Sequence, residues 1–389
     1  MDAVAANGIA TAAGETLFET PRATQRGCAW SLAVILLVGC SGRLGPKTVE
    51  LTRTDYNIAA QRTTAQELLL NLVRLRYRDT PYFLQIASLS TNMRAKAGIG
   101  GIGTFPSSGM RVGEVAGTLS IEESPTVTYT PLVGEHFVSQ LLEPIDPGIL
   151  LLLSHAGWSM ERFMRLFVQE IGGIPNAPTA SGPTPALEPV YEEFLRVSSL
   201  LRTLQSRREV MLTRGSLRGG DASTPAKGEK GILLRFTRPA LESDEYRELQ
   251  ALLGLEPGRD IFEVVTGVGA RAPQRINIVL RSVLSALFYA SHAIDVPEED
   301  LLSGSVTRTL ARAGGDFDWD RVTGSLLSVS NGKPKRPPYA DVRYRGHSFY
   351  IDDSDLSSKS TFSMLNLVLA LQAGEVPTGA PILTLPVSQ

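Results

Sequence analysis

The chain has 389 residues, of which 43% are hydrophobic, and its 38 basic and 40 acidic residues give a formal net charge of −2. This length and apolar fraction allow one large or two ordinary domains with a real core, which argues against disorder throughout. Because no basic excess is present, the composition argues against nucleic acid as a partner.

A short apolar run near the N-terminus has the layout of a secretory signal. Residues 29–38 carry no charge. A helix of this length, rising about 1.5 Å per residue, would cover only about half of a bilayer's hydrocarbon core. Arg22 and Arg26 precede the run, as the basic residues of a signal do. Three acidic residues before Arg22 are unusual in a signal, and we hypothesise that translation begins downstream of them.

The end of this run, Leu37-Val38-Gly39-Cys40, resembles the lipobox of bacterial lipoproteins. The resemblance implies cleavage after residues 1–39, a diacylglycerol on the Cys40 sulfur and acylation of the new amino group. Two or three acyl chains hold a protein at a membrane for long times. In that family an aspartate after the cysteine often retains the protein in the inner membrane, whereas Ser41 permits sorting to the outer membrane, which is the expected location. The alternative is a buried apolar helix that happens to end in Gly-Cys.

Cysteine usage narrows the chemistry of the remaining chain. Cys28 would leave with the signal, and Cys40 would carry lipid. The rest of the chain contains no other cysteine. It can therefore form no disulfide, and it can have neither a thiol nucleophile nor a metal site with cysteine ligands.

The first part of the predicted body is a helical and strand-containing region over residues 55–171, which follows a tether over residues 40–54. Apolar residues at helical spacing predict a helix from Asp55, and Thr64 with Glu67 is typical of a capping box. The arginines at 74, 76 and 78 are predicted to form a solvated or carboxylate-paired face. Two β-favouring runs around residues 122–125 predict a hairpin. Further helices are predicted over Gly134–Leu142, over Pro147–His155 and after Ser159.

Five prolines make residues 172–189 the predicted linker or long surface loop between that region and a second one, residues 190–389. The elements predicted for the second region are a helix to Ser206, paired strands at 210–212 and 232–236, a helix over Ser243–Leu253, a strand at Asp260–Val265, a core helix over Gln274–His292, strands at Asp341–Tyr344 and Ser348–Ile351, a helix after Asp355 and a strand at Ile382–Val387.

Because the strands mostly pair as hairpins, we expect an α+β fold with helices packed on mostly antiparallel strands. Four short sequence segments after the signal also resemble segments of uncharacterised bacterial lipoproteins of no known activity: Ser124–Leu132, Gly157-Trp158, Arg345–Asp353 and Ser358–Phe362. That resemblance implies no catalytic residue.

Two motifs resemble ligand sites only in part. Gly98–Gly103 satisfies G-x-G-x-x-G, but it lacks the preceding strand and following helix of a dinucleotide site, so a flexible loop is favoured. Asp316–Asp320 begins as a calcium loop does, but Arg321 and Leu327 stand where glycine and glutamate are needed. We therefore predict neither a metal nor a cofactor.

The candidate polar cluster consists of His347, Asp352, Asp353 and Asp355. These residues could supply an acid and a base, although helix capping explains the aspartates more simply. The other histidines have no metal-binding spacing, so no catalytic residue is assigned.

The leading hypothesis is a non-catalytic, lipid-anchored envelope protein that faces the periplasm or cell surface and binds another envelope protein. One alternative is an envelope hydrolase acting on cell-wall or carbohydrate material, and another is a carrier of a small apolar ligand. A pocket that gathers the carboxylates would favour the hydrolase, an exposed apolar surface the binding protein, and a closed apolar cavity the carrier.

Overall fold

The computed structural model describes residues 44–100, 116–215, 231–269, 271–373 and 383–386. Two compact units divide the chain, one ending at Gln61 and the other beginning at Arg62. The described part of the first unit is helical throughout.

The elements alternate between helices and strands. The helices are α1 Leu44–Arg76, α2 Glu135–Leu142, α3 Pro147–His155, α4 Met160–Phe167, α5 Glu192–Ser206, α6 Arg238–Glu242, α7 Asp244–Leu253, α8 Val283–Ser291, α9 Glu298–Leu302, α10 Asp320–Thr323 and α11 Leu356–Ala373. The strands are β1 Leu84–Gly100, β2 Ala116–Pro131, β3 Val168–Ile171, β4 Ile174–Pro175, β5 Val210–Gly215, β6 Gly231–Phe236, β7 Ile261–Thr266, β8 Arg275–Leu280, β9 Ser330–Asn331, β10 Ala340–Tyr344, β11 His347–Ile351 and β12 Leu383–Pro386.

Three sheets organise the described strands, in the orders β4-β3-β8-β7-β6-β5, β1-β2-β12 and β10-β11-β9. Only β7 and β8 run parallel among these neighbouring pairs; the others are antiparallel. The predicted α+β fold is therefore confirmed.

Helix α1 starts earlier than the sequence suggested. The prediction placed a tether over residues 40–54 and a helix from Asp55, whereas the helix begins at Leu44. Pro46 lies in its first turn, where a missing N–H costs no helical hydrogen bond. Near its C-terminal end, Leu69 and Leu72 are fully buried.

Several helices form where local capping signals stand in the sequence. The Ser159 side chain accepts a hydrogen bond from the N–H of Arg162 and starts α4, and Ser243 does the same for α7 through Tyr246. These bonds satisfy main-chain donors that the first helical turn leaves unpaired. The predicted helices after Ser159 and over Ser243–Leu253 are confirmed.

The predicted helix over Gln274–His292 is wrong in its first half. Strand β8 occupies residues 275–280, and only then does α8 begin, capped by the Ser282 side chain. The apolar run Ile276 to Leu280 is buried between β3 and β7, so its pairing partners favour a strand. A short apolar run cannot distinguish these states by periodicity alone.

The hairpin predicted around residues 122–125 is also wrong. Those residues lie inside β2, which pairs with β1 over nearly its whole length. Of the glycine-rich motif 98–103, predicted to be a loop, residues 98–100 lie in β1 and the rest fall outside the described residues. The long-range partner β1 overrides the local turn signal at Ser124-Pro125.

The proline-rich segment 172–189, predicted to be a linker or long surface loop, lies inside the second unit and is partly buried. It contains β4 and a 3₁₀ turn over Pro178–Ser181, and Asn176, Ala180 and Thr184 in it are buried. The core lies between the six-stranded sheet and its helices: α4 packs on α5 and α8, and α11 packs on α2 and α8. This packing leaves the outer side of α11 facing the cleft described next.

Candidate functional site

A half-open cleft of about 760 Å³ lies between the C-terminal turns of α1, the start of β1, the end of β2, β10 and α11. Most of its lining is apolar, including Leu68, Phe83, Val342 and Leu369. The exposed fraction of Tyr82, another lining residue, is 46%, so the cleft is open to solvent. Concave apolar surfaces with a few polar groups are the usual setting of binding sites.

Asn71 of α1 positions one wall of the cleft. Its buried side chain donates to the carbonyl of Tyr82 and accepts from the N–H of Tyr82, both at 2.9 Å. The N–H of Leu132 donates to the carbonyl of Phe83 at 2.9 Å, which joins the same segment to the end of β2. The extended segment after Pro81 is thus fixed against the helix by the Asn71 side chain and against β2 by a main-chain hydrogen bond.

Glu67 is the acidic residue that lies deepest in the wall. Burial raises the pKa of its carboxyl, while a hydrogen bond from the Leu84 N–H and the charge of Arg74 oppose that shift. The hydrogen bond from Leu84 joins the first residue of β1 to α1, so the Glu67 carboxylate has a structural role.

The rim of the cleft carries both charge signs. Gln66 donates through Nε2 to the carbonyl of Asp341 at 3.1 Å, and Arg62 lies 3.7 Å from the Asp341 carboxylate. Arg74 donates to the amide oxygen of Asn71 at 3.2 Å. Arg343 is exposed at the rim. Among the described residues, neither Arg74 nor Arg343 forms an ion pair within 4 Å.

Of the predicted site residues, Leu37, Val38, Gly39 and Cys40 lie outside the described residues. The lipid attachment predicted for Cys40 therefore stays a prediction.

His347 lies at the start of β11 and faces two acidic residues of α9. Its Nε2 is 3.3 Å from a carboxylate oxygen of Glu299 and 3.5 Å from one of Asp300. Asp300 also accepts a hydrogen bond from the Tyr77 hydroxyl. Burial, followed by that hydrogen bond, raises the pKa of Tyr77.

The three predicted aspartates serve the start of α11. Asp352 accepts from the N–H of Ser354 at 2.8 Å, and hydrogen bonds from Ser354 lower its pKa. Asp353 binds Lys359 at 2.7 Å, and Asp355 accepts from the N–H of Ser358 at 3.0 Å. These are capping and local contacts.

The structure does not join His347 to the aspartates. Strand β11 separates them, and its rise of about 3.3 Å per residue places its two ends roughly 13 Å apart. None of the four residues lines the cleft. The polar cluster expected from the sequence is therefore two separate groups with different partners.

Arg76 corrects the prediction of a solvated arginine face. Its exposed fraction is 5%, and it donates to the Thr184 hydroxyl at 2.8 Å, while Arg78 donates to the Thr184 carbonyl at 3.1 Å. Burial lowers the pKa of Arg76 to about 10. Sequence spacing could not reveal this, because the partner lies more than a hundred residues away.

Arg281 is a second buried arginine that the sequence did not single out. Its guanidinium donates to three carbonyls between residues 165 and 168, at 3.0 to 3.2 Å, and also to the Asn176 carbonyl and the Ser181 hydroxyl. It lies 4.2 Å from the ring centroid of Tyr289. Burial lowers its pKa to about 10. All these partners are structural, so we assign Arg281 to the fold rather than to a site.

Two of the three aspartates of the partial calcium motif, Asp316 and Asp318, already have partners. Asp316 binds Arg308 at 2.8 Å, and Asp318 accepts from the N–H of Asp320 at 2.9 Å. Over the described ranges, no three histidine, cysteine, aspartate or glutamate side chains are arranged to hold a metal ion.

Within the part of the chain that the structure describes, no helix combines the length and apolar character needed to cross a membrane. Comparisons with protein-family models, curated proteins and solved structures found no match.

Proposed function

We propose that this chain is a lipid-anchored bacterial envelope protein whose globular body binds another envelope component through the cleft. The observation that carries the proposal is the open, mostly apolar lining of the cleft. An exposed apolar surface of this kind marks binding sites more often than it occurs by chance. The outer membrane is the expected location because Ser41 follows Cys40 in the lipobox-like stretch.

The anchor is tested by metabolic labelling with an alkyne analogue of palmitate, followed by membrane fractionation. The wild-type chain should carry the label and float with outer membranes, and Cys40→Ser should lose both properties because the acyl acceptor is gone. Equal labelling of the two forms would refute lipidation at Cys40.

The cleft is tested by crosslinking in native envelopes and identification of the captured proteins by mass spectrometry. Ile86→Glu puts a charge on the cleft wall at a residue whose exposed fraction is 36%, so it should deplete a specific partner with little effect on folding. Val268→Glu is the matched control, because Val268 is 88% exposed and lies outside the cleft. A partner retained equally by both variants would contradict the proposal.

A small apolar ligand is the second candidate. The cleft volume of about 760 Å³ falls in the range of small-molecule sites. Native mass spectrometry of the chain purified in mild detergent would distinguish the two: a bound lipid-sized mass that Ile86→Glu removes favours carriage. None of the polar residues predicted for the hydrolase alternative, His347, Asp352, Asp353 and Asp355, lines the cleft, so the cleft gives that alternative no support.

A further inference from the structure

Strand β10 forms one border of the cleft and is an edge strand. It pairs with β11 through the two-residue turn Arg345-Gly346, in which both residues have positive φ, 48° and 88°. Such a turn makes the flanking residues, Tyr344 and His347, a hydrogen-bonded pair. In an antiparallel ladder, hydrogen-bonded and non-hydrogen-bonded pairs alternate. The main chain of Val342 is therefore hydrogen-bonded to its partner Phe349 in β11.

The intervening residues of β10, Asp341 and Arg343, therefore direct their main-chain groups away from β11. Two contacts agree with this assignment. The carbonyl of Asp341 accepts the Gln66 side chain from the cleft side at 3.1 Å. The carbonyl of Ser348, which stands opposite Arg343, accepts from the N–H of Gly332 on the β9 side at 2.8 Å.

The main chain of Arg343 is the open part of this edge. No hydrogen bond from another described residue reaches its N–H or C=O on the cleft side. Gln66 already shows, at Asp341, that an amide donor fits against the same edge. An added strand would lie about 4.8 Å from β10, above the apolar lining.

Charge at the rim favours an acidic occupant. Arg74 and Arg343 form no ion pair within the described residues, whereas Asp341 is within 3.7 Å of Arg62 and Glu67 accepts the Leu84 N–H. An acidic group on the bound molecule would meet these two guanidinium groups.

We propose that the cleft binds an extended peptide segment of alternating apolar and acidic residues, which adds as a strand beside β10 at the open main chain of Arg343. The peptide main chain would exchange hydrogen bonds with Arg343, and its apolar side chains would enter the cleft. This is the β-addition mode of peptide recognition, in which main-chain bonds give affinity and pockets select alternate side chains. The inference rests on the proposed binding function of the cleft and names the chemistry of its partner.

The test uses the purified full chain and a fluorescein-labelled hexapeptide of alternating valine and glutamate, with binding measured by fluorescence anisotropy. Two further peptides carry N-methyl groups on all valine or on all glutamate nitrogens. Alternate N–H groups of a strand point in opposite directions, so one N-methylated peptide should lose at least about tenfold in affinity while the other binds like the parent.

Variants of the chain test the same edge. Arg343→Pro removes the outward N–H and should abolish peptide binding, whereas Arg343→Ala keeps the N–H and should weaken binding only a few-fold through loss of charge. Circular dichroism and thermal unfolding of both variants check that the fold is kept. A loss no greater in Arg343→Pro than in Arg343→Ala would contradict strand addition.

The outcomes separate this inference from the proposed function. If both N-methylated peptides bind like the parent, or if the parent does not bind, strand addition of such a peptide is overturned. The cleft can still be the binding site in that case, provided that Ile86→Glu, and not Val268→Glu, depletes the crosslinked partner or a bound lipid. Failure of both experiments overturns the proposed function as well.

Discussion

The polar groups around Arg281 and those around the cleft differ in how many of their partners the protein supplies. The Arg281 guanidinium binds five oxygen atoms inside the core. At the cleft, the Arg343 side chain is exposed, and the main chain of Arg343 has no partner on the cleft side among the described residues. A buried polar group needs hydrogen-bond partners within the protein, whereas the main-chain groups of an exposed strand edge can form hydrogen bonds with water or with a ligand. The comparison assigns the first region to stability and supports the binding role that we propose for the second.

The largest effect should come from Arg281→Ala. Removing the guanidinium leaves several buried carbonyls without donors, and we expect the free energy of unfolding to fall by about 3 to 5 kcal/mol. Urea unfolding followed by circular dichroism measures it. Arg202→Ala is the control, because Arg202 is exposed and should change stability by less than about 0.5 kcal/mol. If Arg281→Ala does not fold, Arg281→Lys gives the milder comparison. Equal free energies of unfolding for the two alanine variants would contradict the assignment of the Arg281 region to stability.

Asn71→Ala tests whether the cleft wall has its own rigid support. The substitution removes both hydrogen bonds to Tyr82 and should cost about 1 to 3 kcal/mol in urea unfolding. It should also weaken binding of the valine–glutamate hexapeptide, since the wall loses its position. Asn71→Asp keeps the acceptor for the Tyr82 N–H but sets a buried carboxylate oxygen against the Tyr82 carbonyl, so it should not restore the lost stability. Unchanged stability in Asn71→Ala would show that the wall is held by packing instead.

His292 gives the buried region a pH dependence. Its ring stacks on Trp319 with centroids 4.0 Å apart, and burial, followed by the charge of Arg76, lowers its pKa well below 6.5. Below pH 6.5 the histidine binds a proton in the unfolded state but stays neutral in the folded state. The free energy of unfolding should therefore fall as the pH drops.

Urea unfolding between pH 7 and about 5 should show a slope of up to about 1.4 kcal/mol per pH unit from this group. His292→Phe keeps an aromatic ring beside Trp319 and should flatten the slope. His136→Gln, at an exposed position, should leave the slope in place. A slope that survives in His292→Phe would assign it to other groups.

Glu67 should give the smallest effect, and one of opposite sign. Burial raises its folded pKa above the ordinary value of 4.5, so the folded state holds the proton more tightly than the unfolded state. The stability it contributes is present below pH 4.5 and is lost as the pH rises through the folded pKa. Glu67→Gln keeps an acceptor for the Leu84 N–H and should gain stability relative to wild type as the pH rises above 4.5. Exposed Glu193→Gln should show no such gain.

Sequence reasoning was most successful where the signal and the structure lie within a few residues. The Ser159 and Ser243 caps and the strands flanking Arg345-Gly346 agree with the prediction because each depends on neighbouring main-chain groups. The aspartates after β11 likewise cap α11, which was the simpler of the two interpretations considered for them.

The α+β class and most local helices follow from periodicity, capping and turn chemistry, which the sequence determines by itself. Tertiary structure alone decided that residues 275–280 form a strand, that Arg76 and Arg281 are buried, and that β10 borders a cleft. The physical reason is distance along the chain. Residues 275–280 form a strand because β3 and β7 pair with them, and the two guanidinium groups are buried because oxygen atoms about a hundred residues away accept their hydrogen bonds. A local sequence pattern contains no information about such distant partners.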